Sequence, residues 1–353
     1  MLEKVGLIGH LALGRDKYDG QTVKTRTVYY GLKKQLGEGI VIVDTYQKSN
    51  PFQLVVQTIK CLLHTEKIIV MLSRNGLRIL LPILYCYVRW HHGEVYHCVI
   101  GGNDDELLKK NPKWVKYLSS FRVNWYESEN LAAEMRKKGI HSAKYLPNFK
   151  NISPLSSEEL SIQEKNICDS SEYRFCTFSR VTKEKGITNA IVAVEVISKE
   201  KGVNVKLDIY GPVEENYQTE FNELLRKTNV VEYKGIVASD ESVSVLKNYY
   251  GLLFPTYFYG EGFPGTLIDA MCAGVPVIAS DWHFNAEIIS DGTDGIIYGN
   301  EVYPTLFDAV VWSIEHRSRF MQYRTSFWKK ADNFSVKKNI DIILAEMKVR
   351  VEL

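Results

Sequence analysis

The sequence predicts an α/β protein of two doubly wound domains, each a parallel sheet flanked by helices. Short apolar runs bounded by polar or glycine-bearing loops recur along the chain, as they do where strands are buried on both faces. Helical stretches separate these runs at the spacing of repeated βαβ units. The length, 353 residues, suits two packed cores of ordinary size.

In the first half, Val5-Gly-Leu-Ile-Gly9 reads as the opening strand. A loop from Gly14 to Lys24 and a helical stretch to about Gln35 follow, and Gly20 there permits close approach of bare backbone to a ligand, or simply makes a turn. Ile40-Val-Ile-Val-Asp44, Ile68–Leu72 and Val95–Ile100 read as the next three strands. Ser73-Arg-Asn75-Gly76 lies at a carboxyl edge, where open parallel sheets bind ligands. The apolar stretch 76–92, with Pro82 inside it, reads either as a kinked helix packed on the sheet or as a surface that dips into a membrane interface. Asp104 and Asp105 read as a solvated helix start rather than a metal site. Another strand ends at Trp125-Tyr-Glu, a helix runs from Leu131 to Lys138, and the polar stretch 151–171 reads as a linker.

The second half opens on the strand Arg174–Phe178 and the basic loop Ser179-Arg180-Val-Thr-Lys-Glu-Lys185-Gly186. Two fixed cations at a strand end beside a helix start suit a diphosphate and stabilise it as a leaving group; a solvated loop is the plainer alternative. Strands at 205–210 with a turn at Gly211, at 231–235 and at 252–256 continue the pattern. The densest signal is Tyr257 to Ser280. A glycine-broken loop, Gly260-Glu261-Gly262, leads through Phe263 and Pro264 into a helix with an apolar face of Leu267, Ile268 and Met271, closed by Gly274. The buried strand Val275–Ala279 follows. The open N–H groups from Phe263 through Gly265 to Thr266 make an anion site. Glu261 and, eight positions later, Asp269 suit hydroxyl groups, which donate to ionised oxygens; a turn and a solvated helix residue are the plain alternatives.

Glu261-Gly-Phe-Pro…Asp269-Ala-Met…Gly274-Val-Pro-Val-Ile-Ala-Ser resembles the donor-site signature of family 4 retaining glycosyltransferases of the GT-B fold. That family usually has two Glu separated by seven residues, and here the second is Asp. The resemblance implies two Rossmann-like domains facing across a cleft, with a C-terminal helix crossing back to the first. The expected divisions are residues 1–150 for the acceptor domain, 151–171 for the linker, 172–330 for the donor domain and 331–353 for the returning helix, with Trp328 and Phe334 packing there. It implies that Arg180 and Lys185 clamp the donor diphosphate, that Glu261 holds the donor sugar and Asp269 the ribose, and that Ile236 lies along the base. Gly20, Gly211, Gly262, Phe263, Pro264, Gly265 and Thr266 complete the donor side, and Glu261, Arg180 and Lys185 are the catalytic candidates. The family's His-Asp pair after the fourth strand is missing, and His97 lies inside that strand, where it reads as a structural residue rather than a catalytic one; with Gly102, Asn103 and Asn75 it stands only as a residue of the acceptor or anomeric side.

The expected activity is transfer of a sugar from a nucleotide diphosphate sugar, UDP first, to a hydroxyl of a saccharide or lipid-linked acceptor in bacterial surface polysaccharide assembly. An epimerase of the same architecture and an inactive nucleotide-sugar-binding subunit are the other readings. No cofactor and no essential metal are expected, because the clamp supplies the charge a metal would. A net charge of +2 gives no reason to expect a nucleic-acid partner. Six cysteines without Cys-x-x-Cys spacing read as reduced core residues. The short apolar N-terminus does not read as a signal peptide, and no run of about 18 apolar residues predicts a membrane span. A cytoplasmic protein with peripheral contact at the inner membrane face is expected.

Overall fold

The computed structural model describes residues 4–15, 19–46, 51–101, 108–109 and 111–349. The chain forms two compact units, Met1–Asn151 with Phe334–Leu353, and Ile152–Asn333.

The first unit alternates β1 (Val5–Gly9), α1 (Gly20–Leu36), β2 (Ile40–Asp44), α2 (Pro51–His64), β3 (Lys67–Met71), α3 (Arg74–His91), β4 (Glu94–Cys98), α4 (Lys113–Leu118), β5 (Val123–Tyr126), α5 (Glu129–Lys137) and β6 (Ala143–Tyr145). All of its strand pairs are parallel, in the order β2-β1-β3-β4-β5-β6. β1 is buried along its whole length, as its unbroken apolar run requires of a central strand. Val5, Leu7, Leu32, Ile69, Tyr96 and Trp125 fill the core, each fully buried aliphatic side chain contributing about 1.5–3 kcal/mol.

The second unit contains α6 (Ser157–Asp169), β7 (Tyr173–Phe178), α7 (Ile187–Lys201), β8 (Val205–Tyr210), α8 (Gln218–Arg226), β9 (Val231–Gly235), α9 (Ser242–Leu246), β10 (Gly251–Phe254), α10 (Gly265–Cys272), β11 (Val277–Ser280), α11 (Asn285–Ile288), β12 (Gly295–Tyr298), α12 (Leu306–Glu315) and α13 (Arg317–Lys329). Its parallel sheet runs β12-β11-β10-β7-β8-β9, so the chain leaves β7 in one direction and returns to its other side at β10. That reversal is the topological switch point, outside whose carboxyl ends ligands bind in such sheets. Two six-stranded parallel sheets with helical crossovers make this the expected α/β class.

The linker, Trp328, two short strands and Cys168 depart from the sequence reading. The stretch expected as linker holds α6, whose start is closed by a reciprocal Ser156–Glu159 capping box and whose Leu160 and Ile167 are buried in the second unit. Trp328 lies in α13 and donates from Nε1 to the Leu155 carbonyl at 2.9 Å, so it packs within the second unit, while Phe334 belongs to the first. The chain re-enters the first unit as α14 (Val336–Met347), whose Ile340, Ile343 and Met347 pack into the same core as α1. Finally, β6 and β12 were not anticipated, and Cys168 is exposed rather than core.

Candidate active site at the switch point

Three strand ends build the site in the second unit. β7 runs out through Ser179 into the loop that carries Arg180 and Lys185. Gly186, at φ +72, turns that loop into α7, and a Cβ there would sit 2.0 Å from the Pro255 carbonyl oxygen. Only glycine lets the basic loop lie this close to the segment leaving β10. Tyr257 N–H donates to the Glu184 carbonyl at 2.8 Å and fastens the two loops together. At the end of β8 the same device recurs: Gly211 has φ +129, and a Cβ would lie 1.8 Å from the Ser179 carbonyl oxygen.

The centre of the site is an ion pair between residues 76 positions apart. Lys185 Nζ lies 2.5 Å from Glu261 Oε2, and Thr256 Oγ1 donates to the same oxygen at 2.9 Å. Both charged residues are nearly enclosed, 9% and 8% exposed. The Lys185 ammonium also faces the Phe258 ring at 5.1 Å and the Phe254 ring at 5.9 Å, a cation–π setting that offsets part of its lost hydration. Among the described residues, nothing donates to Glu261 Oε1, and one ammonium has three protons, so the pair keeps hydrogen-bonding capacity after satisfying itself. Arg180 is half-exposed, lies 5.2 Å from the centre of the same Phe258 ring, and donates to Glu214 at 2.9 Å.

The start of α10 completes the arrangement. Pro264, expected as the first helical residue, is instead the N-cap, in extended geometry and without a side-chain cap. The first N–H groups of the helix, at Gly265 and Thr266, therefore have no intrahelical acceptor. Thr266 Oγ1 donates to the Phe178 carbonyl at 2.5 Å, which holds this helix start against the end of β7. Phe263 is buried, and Asp269, the fifth residue of α10, is buried at 3% exposure. Gly262 precedes Phe263 in the loop, and Ile236 is 70% exposed just beyond β9. Ser280 Oγ donates to the Thr256 carbonyl at 2.5 Å and Trp282 Nε1 to the Phe258 carbonyl at 3.0 Å, so the β11 end braces the Glu261 loop from below. Thr256, Phe258 and Trp282 escape sequence reading as site residues because none carries a charge and their contacts join separate loops.

The first unit gives a different picture. Gly20 is not in a loop: it is the first residue of α1, capped by Asp19, which accepts from Thr22 N–H at 3.0 Å, and a Cβ at Gly20 would meet open space. Asn75 is exposed in the first turn of α3. His97 sits as a structural strand residue: its ring is buried in β4, with Nδ1 3.0 Å from Asn124 Oδ1, and burial lowers its pKa to about 4. At neutral pH its imidazole is uncharged. Gly102 and Asn103, like Asp104 and Asp105, lie outside the described residues. Two unforeseen devices shape the carboxyl edge of this sheet. Asp44 accepts from the N–H groups of Leu11, Ala12 and Leu13 at 3.0–3.2 Å, and buried Lys24 binds Glu127 at 2.5 Å and the Val99 carbonyl at 3.2 Å. A concavity of 910 Å³ along β2, lined by Arg15, Asp44, Lys60 and His64 among others, contains none of the candidate-site residues.

Residues 159–331, most of the second unit, match the family described as Glycosyl transferases group 1. The chain is similar to two uncharacterized glycosyltransferases of Methanocaldococcus jannaschii. It is 24% identical to MJ1069 over 52% of this chain and 45% of that protein, and 28% identical to MJ1059 over 47% and 40%. It thus spans less than half the length of the curated relatives it matches. Among solved structures, Anabaena Alr3699/HepE in complex with UDP aligns with a TM-score of 0.75 at 13% identity, covering 98% of this chain and 99% of that one. The same protein with UDP and glucose gives 0.72 at 14%, again over 98% and 99%. The pneumococcal O-GlcNAc transferase GtfA, in complex with UDP and GlcNAc, gives 0.62 at 16%, over 84% and 60%. Residues 159–331 thus match a group 1 glycosyltransferase domain, and the chain as a whole has the GT-B fold.

Proposed function

We propose that the chain is a retaining family 4 glycosyltransferase that moves a sugar from a nucleotide diphosphate sugar, with UDP as the carrier, to a hydroxyl of a saccharide or lipid-linked saccharide in bacterial surface polysaccharide assembly. The observation that carries this reading is the enclosed Lys185–Glu261 pair at the switch point, beside the uncapped start of α10. Arg180 and the remaining Lys185 protons hold the diphosphate, with the N–H groups of Gly265 and Thr266. Glu261 Oε1 accepts from a donor-sugar hydroxyl, and Asp269 from the ribose. Gly211 and Ile236 border the nucleotide, and Gly20 lies on the acceptor-facing edge of its own unit. The HepE and GtfA structures, solved with UDP and a sugar, support UDP over other carriers.

In the proposed reaction the bond from the anomeric carbon to the diphosphate oxygen breaks and its electron pair stays on the diphosphate. The acceptor oxygen bonds to the same face of that carbon, and its proton passes to a phosphate oxygen. The two cations stabilise the charge that develops on the leaving group, the office a divalent metal performs in other enzymes. The protein works in the cytoplasm, in contact with the inner membrane face where lipid-linked acceptors lie.

The test is a thermal-shift panel of UDP-, GDP-, ADP- and CMP-sugars, with and without EDTA, followed by turnover with and without acceptor. Stabilisation by UDP-sugars that survives EDTA, is lost in Arg180→Ala, and leads to acceptor-dependent UDP release is expected. No shift at millimolar concentration, or conversion of the donor without acceptor, overturns the proposal.

A further inference from the structure

Helices α2 and α3 connect β2 to β3 and β3 to β4, two steps in one direction across the first sheet. Right-handed crossovers therefore place both on the same face. Each buries one side against the sheet: Leu77, Leu80, Leu81, Leu84 and Tyr87 are the inward residues of α3. Their outward sides carry large apolar residues among the polar ones. On α2, Ile59 and Leu63 are 43% and 61% exposed, one turn apart. On α3, Ile79 and Trp90 are 59% and 76% exposed, eleven residues apart, with Pro82 exposed and Ile83 and Cys86 half-buried between them. These positions fall on one stripe, about 16 Å long at the helical rise.

The charge on the two helices has one sign. Across the 14 residues of α2 and the 18 of α3 there is no Asp or Glu, while Lys60, Arg74, Arg78 and Arg89 are all exposed. Among the described residues, none of these four cations is paired with a carboxylate. A solvated helix surface ordinarily interleaves both signs, and apolar residues as large as Trp90 are ordinarily covered. Cations flanking an exposed apolar stripe, with tryptophan at one end, match a surface that lies in the plane of a charged bilayer. A second copy of the chain fits poorly, because an isologous contact sets these cation-bearing helices against each other with no acid on either to pair them.

We infer that the α2–α3 face docks on an anionic lipid bilayer, with Trp90 and Ile79 entering the headgroup boundary and Arg78 and Arg89 binding lipid phosphates. No helix among the described residues is long and apolar enough to cross a membrane, so the contact is a surface one. This inference rests on the membrane setting of the proposed function and names the surface that would provide it, while the donor site is tested separately.

The experiment is co-sedimentation of the purified full chain with vesicles of phosphatidylglycerol and phosphatidylcholine in equal parts, against phosphatidylcholine alone. Binding to the anionic vesicles only, weakened by salt, is expected. Arg78→Gln with Arg89→Gln should weaken it about thirtyfold, and Trp90→Ser with Ile79→Ser by about tenfold or more. All four positions are exposed, and circular dichroism with a cooperative thermal unfolding transition verifies that each variant folds. Equal binding to both vesicle types, no binding to the anionic ones, or binding unaffected by the substitutions overturns the inference. So does a dimer in solution that the Trp90→Ser, Ile79→Ser variant dissociates. Vesicle binding without a UDP shift refutes the donor reading alone, and the reverse result refutes this surface alone.

Discussion

Replacing Lys185 by Met tests whether the buried pair is the keystone of the second unit's site. The side chains of Lys185 and Glu261 are each 10% exposed and meet at 2.5 Å. Lys185→Met leaves the Glu261 carboxylate enclosed with Thr256 as its remaining donor, so the expected loss is about 3–5 kcal/mol, the range for stripping one partner from a buried ion pair. Glu261→Gln leaves an enclosed ammonium, but the Phe254 and Phe258 rings face it at 5.9 and 5.1 Å, and each such contact retains roughly 0.5–2 kcal/mol. The Gln variant should therefore lose less. The double variant carries no buried charge, and the Gln amide oxygen still accepts from Thr256. It should be more stable than Lys185→Met alone, with a coupling of about 2–3 kcal/mol in a cycle built from urea unfolding curves of equal slope. Additive losses in the double variant would refute the reasoning, since they would mean the two charges do not sense each other.

Three other outcomes follow from the geometry. Arg180→Ala breaks the half-exposed pair with Glu214 and the contact with the Phe258 ring, so stability should fall by no more than about 1 kcal/mol while the UDP-induced rise in Tm is lost, both read by thermal scanning. Gly211→Ala forces a Cβ to 1.8 Å from the Ser179 carbonyl oxygen at φ +129 and should cost roughly 2–3 kcal/mol in urea unfolding, whereas Gly20→Ala meets open space at a helix start and should be neutral or slightly stabilising. His97, held near pKa 4 against 6.5 unfolded, takes up its proton first in the unfolded chain; its share of stability is intact above pH 6.5 and falls by about 3 kcal/mol as pH drops to 4, a slope that His97→Gln should remove from a pH series of unfolding midpoints.

The fold was legible where burial writes itself into sequence. Parallel strands covered on both faces read as unbroken apolar runs, and the predicted strands at β1, β2, β7, β8, β9 and β10 sit within two residues of the observed ones. Short elements carried no such signature. β6 is Ala-Lys-Tyr with only its first residue buried, and β12 is four residues after a turn. The α6 segment reads as linker because its polar composition outweighs the cap signal of Ser156 and Glu159, spaced as a capping box, with Leu160 and Ile167 seven apart on one face. His97 is legible as a strand residue, but its partner is not: Asn124 lies 27 residues away and meets it only because β5 pairs with β4.

The site was legible residue by residue but not as an arrangement. Lys185 and Glu261 each stood out locally, yet their contact depends on β10 lying beside β7, which follows from the reversal in strand order and not from either motif. Their pairing answers a physical difficulty that neither motif raises. A site for an anionic ligand with a hydroxyl-bearing group needs a cation and an acid shielded from water, because shielding strengthens every contact they make. Alone, either charge would be costly to enclose. Set against each other, they are neutral as a unit and held in place by Thr256, Phe254 and Phe258, with Glu261 Oε1 and the spare Lys185 protons still available. The glycines at 186 and 211 belong to the same solution, since any side chain there would push the basic loop off the backbone that brings Lys185 to Glu261.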